Sequence, residues 1–233
     1  MFKTIEECRL SLVAHTMAVD QDTGIGRADW LEDFLPCSAA RVSFGKEDKT
    51  GTNPAADKKL MTYLAEHKHM SPFEHQTATF LVEVPLFIRS QIHRHRTFAY
   101  NEISRRYTEE SLEFWIPTAV RKQSASNRQS SDGVVDEPQL TAMCFESQAK
   151  VALNAYNTLL QNGVCREQAR ALLPQSLLTK FYMSGNLRNW AHFIELRTEE
   201  HSQQEVQVVA NRIKAKLLEL WPTAAGVLLK DAS

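Results

Sequence analysis

Hydrophobic and polar positions follow two rhythms along this chain. In "CRLSLVAHT" (8–16), Cys8, Leu10, Leu12 and Ala14 fall at every second position, the period of a strand with one face inward. "HQTATFLVEV" (75–84) repeats that alternation with Ala78, Phe80, Val82 and Val84, and "LLTKFYMSGN" (177–186) alternates as well. Elsewhere the spacing is helical. Leu60, Met61 and Leu64 set it in "DKKLMTYLAEHKH" (57–69), which Ser71-Pro72 ends, because the residue before a proline avoids the helical region. Pro85 is placed to open a helix "PLFIRSQIHRHR" (85–96), with the basic triplet closing it. Leu140, Met143, Cys144, Val151, Ala155 and Leu159 make a long helical stripe, interrupted by polar Ser147 and Gln148 and ending at Asn162-Gly163. "REQARALL" (166–173) is a short helix stopped by Pro174. Asn186 is an N-cap for "LRNWAHFIEL" (187–196), with Leu187, Trp190, Ala191 and Ile194 inward, and Val206, Val209, Ile213 and Leu217 mark the last helix. "GKEDKTGTNPAAD" (45–57) breaks periodicity, and the Ser-rich stretch 118–138 has the composition of a flexible surface loop. No repeat or heptad run is present. The pattern predicts one mixed α and β domain over residues 1–233, with more helix than strand.

Composition supports a core and narrows the partners. Of 233 residues 43% are hydrophobic, enough to bury a sizeable interior. Lys and Arg number 27 against 28 Asp and Glu, so the formal charge of -1 gives no global attraction to nucleic acid or an acidic membrane, and neither is expected as a partner. Any basic patch must be local. Cys8, Cys37, Cys144 and Cys165 are scattered and form no CxxC pair, which suits reduced thiols and a cytoplasmic location. The first residues, "MFKTIEECRLSLV", lack a signal-peptide core, and no apolar run is long enough to span a bilayer.

Common cofactor signatures are absent. The chain has eight glycines, and "GIG" (24–26) lacks the third glycine and the apolar strand of a dinucleotide fingerprint. There is no P-loop, GxSxG or HExxH. His67, His69, His75, His93 and His95 crowd a short interval, but His67 and His69 sit at a predicted helix end, where imidazole bonds free carbonyls and the two rings do not share a face. No metal site is expected.

"RHRTFAYNEISRRY" (94–107) is the densest cluster of chemistry. Arg94, His95 and Arg96 would balance a helix dipole, a contribution of about 0.3–1 kcal/mol per cation. That leaves Asn101, Glu102, Ser104, Arg105 and Arg106 unexplained, since together they offer donors for phosphate and both donors and acceptors for a uracil-like edge. Taken alone, the segment remains open between a charged loop, a nucleic-acid patch with stacking aromatics, and a site for a small anion.

Arg-His-Arg, then seven residues, then serine resembles the signature of the flavin-dependent thymidylate synthases. "AARVSFGK" (39–46), "HKHMSPFEH" (67–75), "QARALLP" (168–174) and "NLRNWAHFIELRTEEHSQQE" (186–205) agree with that family in order and spacing, so the likeness runs over residues 37–222. It implies a thymidylate synthase-complementing fold, a mixed or antiparallel sheet flanked by helices, assembled as a homotetramer whose sites are shared between subunits. It also implies methylation of deoxyuridine monophosphate (dUMP) to thymidine monophosphate (dTMP), with methylenetetrahydrofolate giving the carbon and FAD relaying a hydride from NADPH.

Carried residue by residue, the resemblance implies that FAD is held by Ser71, Arg94, His95, Arg96, Glu102, Asn186, Leu187, Arg188 and His192. The nucleotide would meet Gln91, Ile92, His93, Arg94, Glu102, Ile103, Ser104, Arg105, Arg106, Arg170 and Arg197. Arg197 would lie against the uracil ring and stabilise its ionised form, as a guanidinium that never loses its proton is suited to do. Ser104 would sit at the reacting nucleotide, as a contact hydroxyl before a nucleophile. The sequence departs from the family at Ala99, where many members have serine, and at His192, where others have asparagine; the first removes a hydroxyl and the second keeps a donor.

Overall fold

The computed structural model describes residues 1–17, 29–46, 49–108, 111–128 and 130–229. The GIG stretch lies outside them. Its strands are β1 (Phe2–Lys3), β2 (Leu10–His15), β3 (Thr77–Pro85), β4 (Ala99–Glu102), β5 (Phe114–Trp115), β6 (Arg121–Gln123), β7 (Ser131–Val134) and β8 (Leu178–Asn186). The helices are α1 (Leu35–Arg41), α2 (Pro54–Glu66), α3 (Leu86–Ile92), α4 (Pro138–Gln161), α5 (Arg166–Ala169), α6 (Leu187–Thr198), α7 (Gln204–Leu220) and α8 (Ala224–Leu228).

A four-stranded sheet in the order β2-β3-β8-β4 is antiparallel throughout. β3 and β8 form its long central ladder, from Thr77 opposite Asn186 to Pro85 opposite Leu178. Alternation on β3 is as the sequence predicts: Ala78, Phe80, Val82 and Val84 are buried, joined by Phe181 and Met183 of β8. α6 and α7 cover this face, with Trp190 edge-on to Phe80 at 5.1 Å between centroids and Val206, Val209, Ile213 and Leu217 all buried. Burying such large apolar side chains contributes about 1.5–3 kcal/mol each. Tyr182 points to the opposite face and stays half exposed.

Three local expectations are corrected. On β2 the register slips between Leu12 and Ala14, so the bulge turns Ala14 outward and sets His15 opposite buried Ala78. α3 ends at Ile92, and the basic triplet lies in the turn beyond it, outside the last helical turn in which dipole effects act. α4 forms as predicted, with Ala149 and Tyr156 buried and Leu140, Met143 and Val151 about 60% exposed. Within 118–138, β6 and β7 pair as an antiparallel ladder where the composition suggests loop. Polar residues on a two-stranded ribbon need no apolar alternation, so the signal is missing.

The Asn186 cap is in its expected place. Asn186 accepts from the Asn189 N–H at 2.9 Å, which starts α6 directly from the end of β8. Asn53 does the same for α2, accepting from Ala56, so that helix begins before Asp57. At its other end His67 Nδ1 bonds Tyr63 O at 2.9 Å. Among the described residues, no helix is long and apolar enough to cross a membrane.

Candidate active site

The turn between α3 and β4 gives the Arg-His-Arg segment its shape. His95 N–H donates to Ile92 O and Phe98 N–H to His95 O, while Tyr100 on β4 reaches back to donate its hydroxyl to the carbonyls of Ile92 and His95, each at 3.0 Å. Burial pushes that phenol up to about 12, so it remains a donor at neutral pH. The turn alternates direction. His95 is buried, and Arg94 and Arg96 on either side are exposed.

Phe98 follows, packed against Trp190 at 4.5 Å and lying directly over Gly185. A Cβ at position 185 would overlap the Phe98 ring, so glycine at the end of β8 lets the turn seat on the sheet. Asn189 of α6 completes the attachment by donating to Thr97 O at 2.9 Å.

Inside the turn, Arg197 near the C-terminus of α6 donates through Nε to His95 Nε2 at 2.9 Å and through Nη2 to Gln91 O at 3.2 Å. A guanidinium has no acceptor, so His95 Nε2 must carry the lone pair and its proton sits on Nδ1. Electrostatics agree: burial, then Arg197 and His192, lower the His95 pKa from 6.5 to about 4. Burial and the neighbouring Arg94 lower the pKa of Arg197, which still remains a cation at neutral pH. Among the described residues, neither Arg94 nor Arg96 makes a side-chain hydrogen bond or ion pair. Two cations thus face outward beside a third that an imidazole and a carbonyl hold in place. This surface attracts an anion.

Glu102, at the end of β4, is held by residues that the sequence does not single out. Arg89 grips both its oxygens, with Nε at 3.1 and 3.0 Å and Nη2 at 2.9 Å, and Thr179 donates to it at 2.6 Å. Their separations of 13 and 77 residues leave no local signal. His93 packs on Tyr100 and Phe181, with centroids at 4.2 and 4.8 Å, and burial lowers its pKa.

The remaining predicted residues divide into those joined to this surface and those apart from it. Ser104 opens a turn in which its Oγ accepts from Arg106 N–H and its carbonyl from Tyr107 N–H. Arg105 donates to Leu178 O, and Ile103 N–H to Lys180 O, which continues the β4–β8 ladder. Arg106 lies over the Tyr107 ring at 5.2 Å. At the start of α6, Arg188 pairs with Glu74 in the short 3-10 turn that Ser71 begins, so the "SPFEH" stretch and α6 meet within one chain. His192 lies midway along α6, its ring 6.3 Å from that of His95. Arg170 stands apart: its Nε donates to Glu167 O, and no bond among the described residues joins it to Arg94, His95 or Arg197.

Leu187 and Ile92 have fully buried side chains, and Leu187 N–H is given to Gln76 O. A leucine and an isoleucine bordering signature polar residues are core anchors for them. His67 and His69 lie 6.2 Å apart, and among the described residues no cluster of three or more potential metal ligands forms.

Two clefts flank the β6–β7 hairpin, one of about 370 Å³ walled by Gln123, Asn127, Ser130, His201 and Gln203 among others. Neither includes Arg94, His95 or Arg96.

Comparison with known proteins places these features. Residues 30–223 match the family model described as thymidylate synthase complementing protein. A flavin-dependent thymidylate synthase of Thermosipho africanus is 41% identical over 203 residues, covering 86% of this chain and 88% of that protein. A Thermus thermophilus enzyme of the same name is also 41% identical, over 83% of this chain and 70% of that protein. Among solved structures, the UMP/dUMP methylase PolB of Streptomyces cacaoi, bound with 5-Br dUMP, superposes with a TM-score of 0.81 at 29% identity, covering 97% of this chain and 95% of that one. The antiparallel sheet, the outward arginines and the extent of these matches together make this chain a member of the flavin-dependent thymidylate synthase family.

Proposed function

We propose that this chain methylates dUMP to dTMP, taking the carbon from methylenetetrahydrofolate, with FAD as cofactor and NADPH as reductant, for thymidylate synthesis in the cytoplasm. The observation that carries the proposal is the Arg94–His95–Arg96 turn: a buried neutral imidazole that fixes Arg197, between two outward cations with no side-chain partner among the described residues. Planar guanidiniums pair bidentately with phosphate oxygens, so Arg94 and Arg96 suit the phosphates of FAD and dUMP. The donor set fits the cofactor without a glycine turn. When bound, FAD supplies the hydride that completes the methyl group.

The chain's own residues do the rest. Arg197, steered by His95 Nε2 and Gln91 O, stabilises negative charge as the uracil imide loses its proton. That activation requires no cysteine nucleophile, and Cys8 and Cys37 are buried with thiols pushed up to about 12, which leaves them protonated and inert. Ser104, Arg105 and Arg106 offer a hydroxyl and cations for the nucleotide, and Gln91 an amide. Glu102, fixed by Arg89 and Thr179, presents an ordered carboxylate edge. Ser71 in the 3-10 turn and Asn186, Arg188 and His192 along α6 offer polar groups to FAD.

A homotetramer accounts for what one chain leaves open. Leu140, Met143 and Val151 make an apolar stripe on a 24-residue helix, the kind of exposed patch that marks a subunit contact. Arg170, remote from Arg94 within the chain, would then reach a neighbour's nucleotide. The test is anaerobic: the protein loaded with FAD is mixed with NADPH, with and without dUMP, and flavin bleaching is followed before folate is added and dTMP measured. Faster bleaching with dUMP and formation of dTMP are expected; a flavin that NADPH bleaches with no dTMP produced would reject the proposal.

A further inference from the structure

A chain of polar contacts runs from the β6–β7 hairpin to the carbonyl that holds Arg197. Arg121 of β6 places Nη2 at 2.9 and 3.0 Å from the two oxygens of Glu205, and its Nη1 donates to Gln204 Oε1 at 2.7 Å. Glu205, at the start of α7, is only 6% exposed. A carboxylate so placed needs its counter-charge, because an unpaired buried charge is strongly destabilising. Glu205 Oε2 also accepts from Gln203 Nε2 at 2.9 Å. Gln203 in turn accepts, through Oε1, from Gln91 Nε2, and Gln91 O receives Arg197.

The direction of this chain follows from its charged end. A carboxylate only accepts, so Gln203 must turn its NH2 toward Glu205 and its oxygen toward Gln91. Gln91 must then give its NH2 to Gln203. Its amide cannot flip without setting oxygen against oxygen, and the acceptor Oε1 is left for other partners. We propose that Glu205, neutralised by Arg121, is a positioning residue that sets which end of the Gln91 amide meets the nucleotide, so that the hairpin contributes to recognition of dUMP without touching it. This inference rests on the placement of Gln91 and Arg197 at the nucleotide. It gives the stretch 118–138, featureless in the sequence, a specific role, the delivery of one guanidinium to one buried carboxylate.

The test uses the FAD-loaded enzyme with saturating methylenetetrahydrofolate and NADPH, and reads KM for dUMP, kcat and flavin content in four single variants and one double variant. Glu205→Gln, which keeps shape and removes charge, is expected to raise KM for dUMP about tenfold, the effect of one misdirected hydrogen bond, with kcat within about twofold and flavin content unchanged. Arg121→Ala should match it, and Arg121→Lys should restore most of the loss, which a purely structural role would not predict of KM alone. In Gln91→Ala the added Glu205→Gln change should have no further effect on KM. An unchanged KM in Glu205→Gln beside a raised KM in Gln91→Ala overturns the inference and leaves the nucleotide site in place. An unchanged KM in Gln91→Ala overturns both. Should Arg121→Ala fail to fold, Glu205→Gln and Arg121→Lys decide the matter by the same readings.

Discussion

The chain contains two His-basic-His triplets, His67-Lys68-His69 and His93-Arg94-His95, and the fold uses them in opposite ways. The first closes α2 at the surface. His67 stacks on Tyr63 at 4.0 Å and bonds its carbonyl, and Lys68 takes a left-handed φ of 57° as the helix ends. The second follows a helix that has already ended, and the chain turns inward: His93 packs on Tyr100, and His95 is buried against Phe193 at 4.9 Å with its Nε2 turned to Arg197. Spacing alone does not separate a helix terminator from a site. What separates them is the sheet strand behind the second triplet, from which Tyr100 bonds the carbonyls of Ile92 and His95, so that the His95 imidazole is buried and Arg94 and Arg96 face outward.

Four experiments would break or sharpen that contrast. The largest effect belongs to Arg197→Ala, which removes the cation that His95 directs: turnover should fall about 10²–10³-fold, the effect of losing one charge-stabilising donor, while FAD stays bound. Single-turnover dTMP formation and the flavin spectrum measure the two halves. Gly185→Ala comes next, since its methyl would displace Phe98 and with it the seat of the second triplet; a loss of about 1–3 kcal/mol in denaturant unfolding is expected.

The third test uses pH. His95 takes up its proton near pH 6.5 when unfolded and near pH 4 when folded. The folded pKa is the lower one, so this contribution to stability is complete above about pH 6.5 and is lost as pH falls toward 4. His95→Asn should therefore lose less stability than the wild type between pH 7 and pH 5, and an NMR titration of the His95 ring should show no midpoint between pH 5 and 8. A midpoint near 6.5 would mean that the ring is not buried as described. The smallest effect is at the first triplet, where His67→Ala removes one exposed hydrogen bond and a ring contact and should cost about 0.5–1.5 kcal/mol in thermal unfolding.

The elements that position the site are legible to different degrees. β3 and β8 announce themselves because each buries one face, and α6 because a cap and an apolar stripe agree; the His67 carbonyl bond also follows from its place at a helix end. β4 does not, since "AYNE" has no apolar alternation and is made a strand by pairing on the edge of β8. The stripe on α4 is apolar as its spacing indicates, yet it does not turn inward, because periodicity identifies a face without identifying what covers it. Arg-His-Arg can be recognised as a block with Tyr100 inside it, yet the residues that fix the groups around it, Arg197 on His95, Thr179 on Glu102 and Gln203 on Gln91, come from three separate stretches. Long-range hydrogen bonds leave no trace in local spacing.

α6 also works as a ruler. Its origin is pinned where Asn186 caps it on β8, and Arg197, next to last of its 12 residues, reaches His95, so the helix sets both a length and an angle. Each residue of an α-helix advances about 1.5 Å and turns about 100°. Inserting one residue into the middle of α6 would shift Arg197 by less than the length of a hydrogen bond, but would swing it onto a different side of the helix, away from the imidazole. Substitutions along the outer face of α6 leave that phase intact; a change in its count does not.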